Sequence, residues 1–185
     1  MRQTPMLAQR LHGTAPFNWF GSAESLPKNI HNTVGRMGGS GINEAQTESL
    51  VAFLTGEEGL VPPPNPFVNP EGLTASQLAG KQLFYHPSIG CADCHTGESL
   101  TDGENWDVGT FNSIEFDLNA ANGTGEALAL NTPSLRGLHY SAPYFHDGSA
   151  EDLYDVLNST AETMGVTIQL TSTQQDDLVA YLLTL

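Results

Sequence analysis

The spacing of apolar side chains predicts a mainly α fold with four helices. The predicted helices span residues 25–34, 43–55, 74–85 and 172–183. The first three begin at side chains typical of helix N-caps, Ser25, Asn43 and Thr74. In no segment do apolar and polar residues alternate for long enough to predict a strand.

The chain contains an internal repeat. Residues 16–38 align without gaps on residues 143–165, and nine of the 23 positions are identical. Farther along, Leu50-Val51-Ala52-Phe53-Leu54 aligns with Leu178-Val179-Ala180-Tyr181-Leu182. Residues 3–55 are therefore interpreted as a second copy of residues 131–184.

Proline-rich sequence separates two domains. Residues 57–72 contain Val61-Pro62-Pro63-Pro64-Asn65-Pro66, which favours extended backbone and predicts a semi-rigid linker. The domains expected on either side are residues 1–56 and residues 73–185. Within the second domain, the polar, Gly- and Asn-rich stretch 97–131 is predicted to be a long loop.

The two cysteines form the sequence Cys91-Ala92-Asp93-Cys94-His95. In an exported protein such a pair could form a disulfide, and in the cytosol a thioredoxin-like redox motif. The adjoining histidine favours covalent attachment of one haem c, with His95 as an axial ligand of the iron. A zinc site would need a fourth ligand and usually a second Cys/His cluster, which the sequence lacks. The same pattern occurs only once, so the first repeat copy has no haem motif ahead of it.

The charge of the chain restricts its partners. It has 21 acidic and 6 basic residues, a formal net charge of -15. This charge disfavours nucleic acid and anionic membranes and favours a redox partner with a basic docking surface, although acidity can also serve solubility alone.

No apolar stretch approaches the ~20 residues of a membrane span. Because haem is attached to such proteins outside the cytoplasm, we expect a periplasmic or extracellular protein. No signal peptide is visible, so we expect a mature or processed product.

Several motifs together resemble the bacterial di-haem cytochrome c peroxidase superfamily. In chain order they are Gly80-x-x-Leu83-Phe84, the Cys91–His95 sequence, Thr132-Pro133-Ser134-Leu135-Arg136, Ala142-Pro143-Tyr144-Phe145-His146-Asp147-Gly148 and Leu178-Val179-Ala180-Tyr181-Leu182. The resemblance implies two tandem cytochrome-c-like domains with one haem each. This chain departs from the pattern because the first haem motif is missing. It is therefore expected to be part of a larger protein.

The sixth ligand of the iron decides between electron transfer and catalysis. Met164 is favoured, because Met164-Gly165 repeats Met37-Gly38 at matched spacing and the resemblance implies a ligand-type residue there. In the peroxidases this methionine falls about one helical turn earlier, where this chain has Thr160. His146 is the main alternative, although the resemblance gives it a structural role. The remaining candidates are Met37, His139, His86 and His31.

Other site residues follow from side-chain chemistry together with the resemblance. Arg136 is suited to bidentate pairing with a haem propionate. The Pro133 carbonyl is expected to accept a hydrogen bond from Nδ1 of His95. A calcium ion, known in the peroxidase relatives, is a weaker expectation at Asp102, Glu104 and Asp107.

These residues predict an electron-transfer cytochrome with a single His95/Met164-ligated haem. The alternatives are a peroxidase-type enzyme, with an open iron or a second haem upstream, and a module in which haem mainly supports the fold. The first repeat copy is expected to dock on the haem domain through apolar side chains of its two helices, namely Leu26, Ile30, Leu50, Phe53 and Leu54.

Overall fold

The computed structural model describes residues 4–8, 10–56, 59–111 and 129–185. In this part of the chain the fold is mainly α, as predicted. Its six α-helices are α1 (Leu26–Arg36), α2 (Glu44–Thr55), α3 (Ala75–Phe84), α4 (Cys91–Cys94), α5 (Leu153–Ser159) and α6 (Ser172–Leu182). A 3₁₀-helix covers Leu138–Tyr140, and two short strands, β1 (Asn105–Trp106) and β2 (Leu130–Asn131), pair antiparallel.

Capping boxes explain where the longer helices begin. Asn43, Thr74 and Thr171 each accept a hydrogen bond from the backbone three residues on, where a glutamine side chain bonds back to the cap. The last helix is thus capped by Thr171. The sequence did not predict α5, whose seven residues follow the cap Asp152 and are too few for a clear helical period.

Helices α3 and α6 cross closely over the main hydrophobic core. A Cβ on Gly80 would lie only 1.9 Å from the carbonyl oxygen of Asp177 and 2.8 Å from Cβ of Tyr181. Glycine is therefore required at this crossing. Below it the Phe84 and Tyr181 rings meet edge to face at 5.6 Å, and Leu178 is fully buried.

The first repeat copy has a smaller core of its own. Phe17, Ala23, Leu26 and Ile30 are buried together, and α1 and α2 pack around them. The structure therefore differs from the docking face expected from the sequence. Leu26 and Ile30 serve this local core, while the side chains of Leu50 and Phe53 are 38% and 54% exposed.

The two repeat copies share local structure. An isolated antiparallel bridge joins Phe17 to Ala23 in the first copy, and another joins Tyr144 to Ala150 at the matching positions. Asn18 and its counterpart Phe145 both have a positive φ, 69° and 67°. The structure thus supports the repeat seen in the sequence.

The first copy contacts the haem domain through the segment before α1. The backbone oxygen of Trp19 accepts a hydrogen bond from Asn131 N at 2.9 Å, and that of Phe20 accepts one from Asn105 Nδ2 at 3.0 Å. Ser99 Oγ donates to His12 O at 2.9 Å. These bonds join residues 12–20 to the β1–β2 pair and to the segment after the cysteines.

The described part of the proline-rich stretch, residues 59–72, lies on the haem domain. Asn65 Nδ2 donates to Leu183 O at 2.9 Å, and Tyr140 Oη lies 3.1 Å from Pro63 O. Phe67 O accepts a hydrogen bond from Gln77 Nε2 at 3.0 Å. The segment is thus held in place rather than acting as a free spacer.

Only the two ends of the predicted long loop 97–131 are described, and they hold β1 and β2. Residues 112–128 lie outside the described residues. Among the helices of the described ranges, none has both the length and the apolar character needed to cross a membrane.

Candidate haem site

A single helical turn places both cysteines and the histidine together. Gly90 has a positive φ of 81° and starts the turn α4, and His95 N donates to Cys91 O at 3.0 Å to close it. Neither thiol is in a disulfide. Both sulfurs are therefore available on the same turn as the imidazole.

The imidazole of His95 is buried and held in one orientation. Its side chain is 7% exposed, and Nδ1 lies 3.1 Å from Leu100 O. Burial lowers the pKa of His95, which favours the neutral ring, while the hydrogen bond to Leu100 opposes this. With its Nδ1–H donated to a carbonyl, the neutral ring keeps the Nε2 lone pair for a metal.

The main acceptor for His95 differs from the one expected. Leu100 O makes the direct hydrogen bond, and the backbone of Pro133 makes a smaller contribution that raises the pKa of His95. The sequence missed Leu100. Its positive φ of 52°, uncommon for a leucine, belongs to the turn that brings its carbonyl to the ring.

The thiols of the turn are protonated. Burial raises the pKa of Cys91 to about 11, and Cys91 packs against the main core. Burial, followed by the charge of Asp102, also raises the pKa of Cys94. Two neutral thiols and a neutral imidazole on one turn match the donor set for covalent haem attachment.

Gly165 brings the Met164 segment against the cysteine turn. A Cβ on Gly165 would lie 2.7 Å from Ile89 O and 3.7 Å from Cys91 Sγ, and its φ is +94°. The next residue, Val166, donates its N–H to Ile89 O at 2.8 Å. Met164 is half-buried beside this contact. Glycine thus permits the close approach of the segment that carries the favoured ligand.

Thr160 occupies the position at which the family resemblance implies a methionine. It is only 2% exposed, and its hydroxyl donates to Val156 O at 2.8 Å. Thr160 thus packs at the end of α5 and offers no thioether. Met164, four residues on, remains the candidate.

The other candidate ligands lie in different surroundings. Met37 is 78% exposed at the end of α1. His146 is fully buried and packs against Trp19, its repeat counterpart, at 6.2 Å and against Phe111 at 4.8 Å. His86 is exposed and bonds Ser88, and His31 lies 3.2 Å from Thr47 Oγ1. His86 also adjoins the cysteine turn through its carbonyl, which accepts a hydrogen bond from Gly90 N at 3.2 Å, but its ring is bonded to Ser88. Met164 adjoins the turn through its neighbours Gly165 and Val166.

Arg136 is paired with Glu98. Its Nε and Nη2 donate to Glu98 O at 3.0 and 2.9 Å, and Nη2 lies 3.3 Å from Glu98 Oε1. The Arg136 side chain is 37% exposed and that of Glu98 is 93% exposed, so this ion pair lies at the surface.

Arg10 was not predicted as a site residue. Its Nε donates to the carbonyl of Arg136, while its Nη2 is buried without a partner. Burial lowers the pKa of Arg10 to about 10. Both ring nitrogens of His139 are likewise buried and unpartnered. A buried cation lacking a counter-ion is what an anionic group of a cofactor would satisfy, so this observation also fits haem.

Of the expected calcium ligands, Asp102 belongs to a turn. Asp102 accepts hydrogen bonds from Trp106 Nε1 at 2.9 Å and from Glu104 N at 3.0 Å. Among the residues that the structure describes, no group of three or more His, Cys, Asp or Glu side chains is arranged to hold a metal ion.

Sequence comparison identifies relatives for this arrangement. Residues 77–185 match the sequence model of the family described as Cytochrome c. The chain is 31% identical over 153 residues to hydrazine synthase subunit gamma of Kuenenia stuttgartiensis, across 64% of this chain and 43% of the relative. It is 33% identical over 144 residues to cytochrome c551 peroxidase of Nitrosomonas europaea, across 70% and 41%. To cytochrome c peroxidase Ccp of Escherichia coli it is 28% identical over 150 residues, across 74% and 31%. The chain thus spans less than half the length of these curated relatives.

Solved structures share the fold. A chain of the xenon-pressurised hydrazine synthase of Kuenenia stuttgartiensis superposes with a TM-score of 0.75 at 25% identity, covering 93% of this chain and 68% of that one. A MauG-like protein associated with microbial copper homeostasis gives a TM-score of 0.72 at 21% identity, covering 99% and 72%. With the peroxidase relatives, these matches confirm the resemblance to the di-haem peroxidase superfamily.

Proposed function

The chain belongs to the cytochrome c family, and on this premise we propose that it is an electron-transfer module with one covalent haem. The observation that carries the proposal is the buried His95, whose Nδ1 is held by Leu100 O next to two unbridged cysteines. When bound, haem supplies one-electron redox chemistry at its iron. The chain's own residues bind it, orient it and shield it from water.

Cys91 and Cys94 would hold the haem covalently. Each would form a thioether by addition of its S–H across a haem vinyl group, in which the S–H and C=C π bonds are replaced by C–S and C–H bonds, so no oxidant would be needed. Cys91 is partly buried against the core, and Cys94 lies three residues on along the same turn. The haem is thereby anchored beside His95, which would be one axial ligand.

Met164 would supply the second axial ligand. Support comes from the contact of Gly165 with the cysteine turn. It comes also from Thr160, whose hydroxyl is already bonded to the backbone of its own helix. A thioether stabilises ferrous iron, and two filled axial positions suit electron transfer better than peroxide activation. Electrons would pass singly between this site and a partner protein, one being oxidised as the other is reduced.

Two measurements on the purified protein test this proposal. Intact mass should exceed that of the polypeptide by one haem, and acid denaturation should not release it. The oxidised protein should show a low-spin visible spectrum with the weak red band typical of methionine ligation. A mass without haem, or with two, would contradict the single covalent attachment, and a high-spin spectrum would contradict Met164.

A peroxidase-type enzyme is the second candidate. Two relatives are named as cytochrome c peroxidases, and this chain spans less than half of their length. The natural protein could therefore place a second haem before the first repeat copy. Rapid peroxide turnover by this chain together with a high-spin spectrum would favour that function.

The redox partner is proposed to carry a basic docking surface. The net charge of -15 attracts such a partner at long range, and added salt screens the attraction. The rate of electron exchange with a small basic redox protein should therefore fall as ionic strength rises. A rate independent of salt would contradict this expectation.

We also propose export, to the periplasm or outside the cell, because covalent haem attachment takes place there.

A further inference from the structure

Arg10 is a half-buried cation whose Nη2 atom is completely buried. Its Nη2 has neither solvent nor a hydrogen-bond partner, and the ion pairs of the described residues do not include it. Such burial is unfavourable unless an anion is near. Within residues 4–8, 10–56, 59–111 and 129–185 no carboxylate pairs with Arg10, so an anion from outside this part of the chain would stabilise the guanidinium.

Two titratable side chains of the described residues interact with Arg10, and neither carries a negative charge. Burial raises the pKa of Tyr144, whose hydroxyl donates to Leu138 O, so the phenol stays protonated. Burial, followed by the charge of Arg10, lowers the pKa of His139. Both side chains are therefore neutral near pH 7, and neither balances the guanidinium.

Arg10 lies behind the turn that borders the proximal histidine. Its Nε donates to the carbonyl of Arg136, at the end of the segment 132–136. At the start of that segment, Thr132 O accepts a hydrogen bond from Thr101 Oγ1 at 2.6 Å, next to Leu100, which holds His95. Hydrogen bonds thus connect the Arg10 guanidinium of the first repeat copy to the segment that adjoins Leu100 and His95.

We propose that Arg10 is the principal cation paired with a carboxylate of the haem. Arg136, the residue expected from the sequence, is partly exposed and already bonded to Glu98. Nη2 of Arg10 is buried and has no hydrogen-bond partner, and charge-assisted pairing is stronger away from water. The inference rests on the proposed haem attachment. It gives the haemless repeat copy a role, because that copy supplies a charge to the haem domain.

The test compares three variants of the full chain with covalent haem, Arg10→Gln, Arg10→Lys and Arg136→Gln. Intact mass first verifies one haem per chain in each, so loss of attachment is recognised separately. The midpoint potential and the propionate bending band in resonance Raman spectra are then measured. Removing a positive charge beside the site disfavours the reduced state. Arg10→Gln should lower the potential and shift the band, Arg10→Lys should lower the potential less, and Arg136→Gln should change both less than Arg10→Gln.

A measurement on the unmodified protein keeps the proposal testable if Arg10→Gln does not fold. Nuclear Overhauser contacts in the reduced protein should join the Arg10 side chain to propionate methylene protons of the haem. Haem present by mass without these contacts would overturn the proposal while leaving haem attachment intact. A larger effect of Arg136→Gln would also overturn it. The proposal would also be overturned if the potential of the wild type depended on phosphate concentration and that of Arg10→Gln did not. The anion bound by Arg10 would then be an exchangeable one.

Discussion

Met164 and Met37 occupy matching repeat positions but have opposite surroundings. Met164 is half-buried and precedes Gly165, which lies against Cys91, whereas Met37 is 78% exposed. The repeat alone could not distinguish them, because both are followed by glycine. The contact between Gly165 and the cysteine turn is what singles out Met164 as the candidate ligand.

Replacing these two methionines gives a matched test at the level of single residues. Met164→Ala should open the sixth coordination position, giving a high-spin spectrum and faster cyanide binding. The midpoint potential should fall by on the order of 0.1–0.3 V, within the ~0.8 V range that axial ligands span. Spectroelectrochemistry measures both effects.

Met37→Ala is the control, and neither its spectrum nor its potential should differ from the wild type. If Met164→Ala leaves the spectrum unchanged, Met164 is not the ligand. The corresponding substitution at His146 would then be the next experiment.

Sequence reasoning found the residues whose roles are local and missed those that depend on tertiary contacts. The spacing Cys-x-x-Cys-His predicts one helical turn, and α4 has that geometry. Leu100 and Arg10 had no such signal, because one acts through its backbone carbonyl and the other joins residues 126 positions apart. That Arg10 is one of six basic residues was the only available hint.

Among the helices, α2 and α6 are repeat counterparts with different partners. Helix α6 is covered by α3, which crosses it at Gly80. Leu178 of α6 is fully buried. Within the described residues, α2 contacts α1 but has no counterpart of α3. The matching side chain, Leu50, is consequently 38% exposed.

This difference predicts unequal costs for the same substitution at matching positions. Leu178→Ala removes core packing and should lower the free energy of unfolding by about 2–5 kcal/mol. Leu50→Ala should lower it by less than about 1 kcal/mol, since partly exposed side chains lose little on truncation. Urea unfolding of both variants, monitored by circular dichroism, gives the two values.

Equal losses in the two variants would show that the α2 face is covered in solution. The pair shares residue type and helix position, so differences in helix propensity cancel. Burial alone is then responsible for any difference that remains.

Helix boundaries were predicted well where capping residues mark them. The caps Ser25, Asn43 and Thr74 stand at the starts of α1, α2 and α3. The short helix α5 and the two-residue strands escaped prediction because their length supplies no period. The strands are set by pairing between Asn105 and Asn131, a contact distant in sequence.

At the scale of the molecule, the described residues join the two repeat copies by hydrogen bonds and aromatic contacts of the segment before α1 instead of the expected apolar helix face. Apolar periodicity showed that α1 and α2 bury one side, but not which core receives it. The structure assigns that side to the first copy's own core. The segment before α1 makes the contact, through Arg10, His12, Trp19 and Phe20.

Deleting the first copy tests what this interface contributes to the haem domain. A chain of residues 73–185 loses the bonds to Asn131, Asn105 and Ser99 together with those of the segment 59–72. Each hydrogen bond contributes roughly 0.5–1.5 kcal/mol, so the free energy of unfolding should fall by at least about 2 kcal/mol relative to the full chain. Thermal and urea unfolding of the haem-loaded proteins measure the loss.

A chain of residues 59–185 separates the two contributions, because it keeps the proline-rich segment and its bonds to Leu183 and Tyr140. Its stability should lie between those of the other two proteins. Should residues 73–185 alone match the full chain, the polar interface would contribute nothing to stability, and the role of the first copy would lie in the charge that Arg10 brings to the haem.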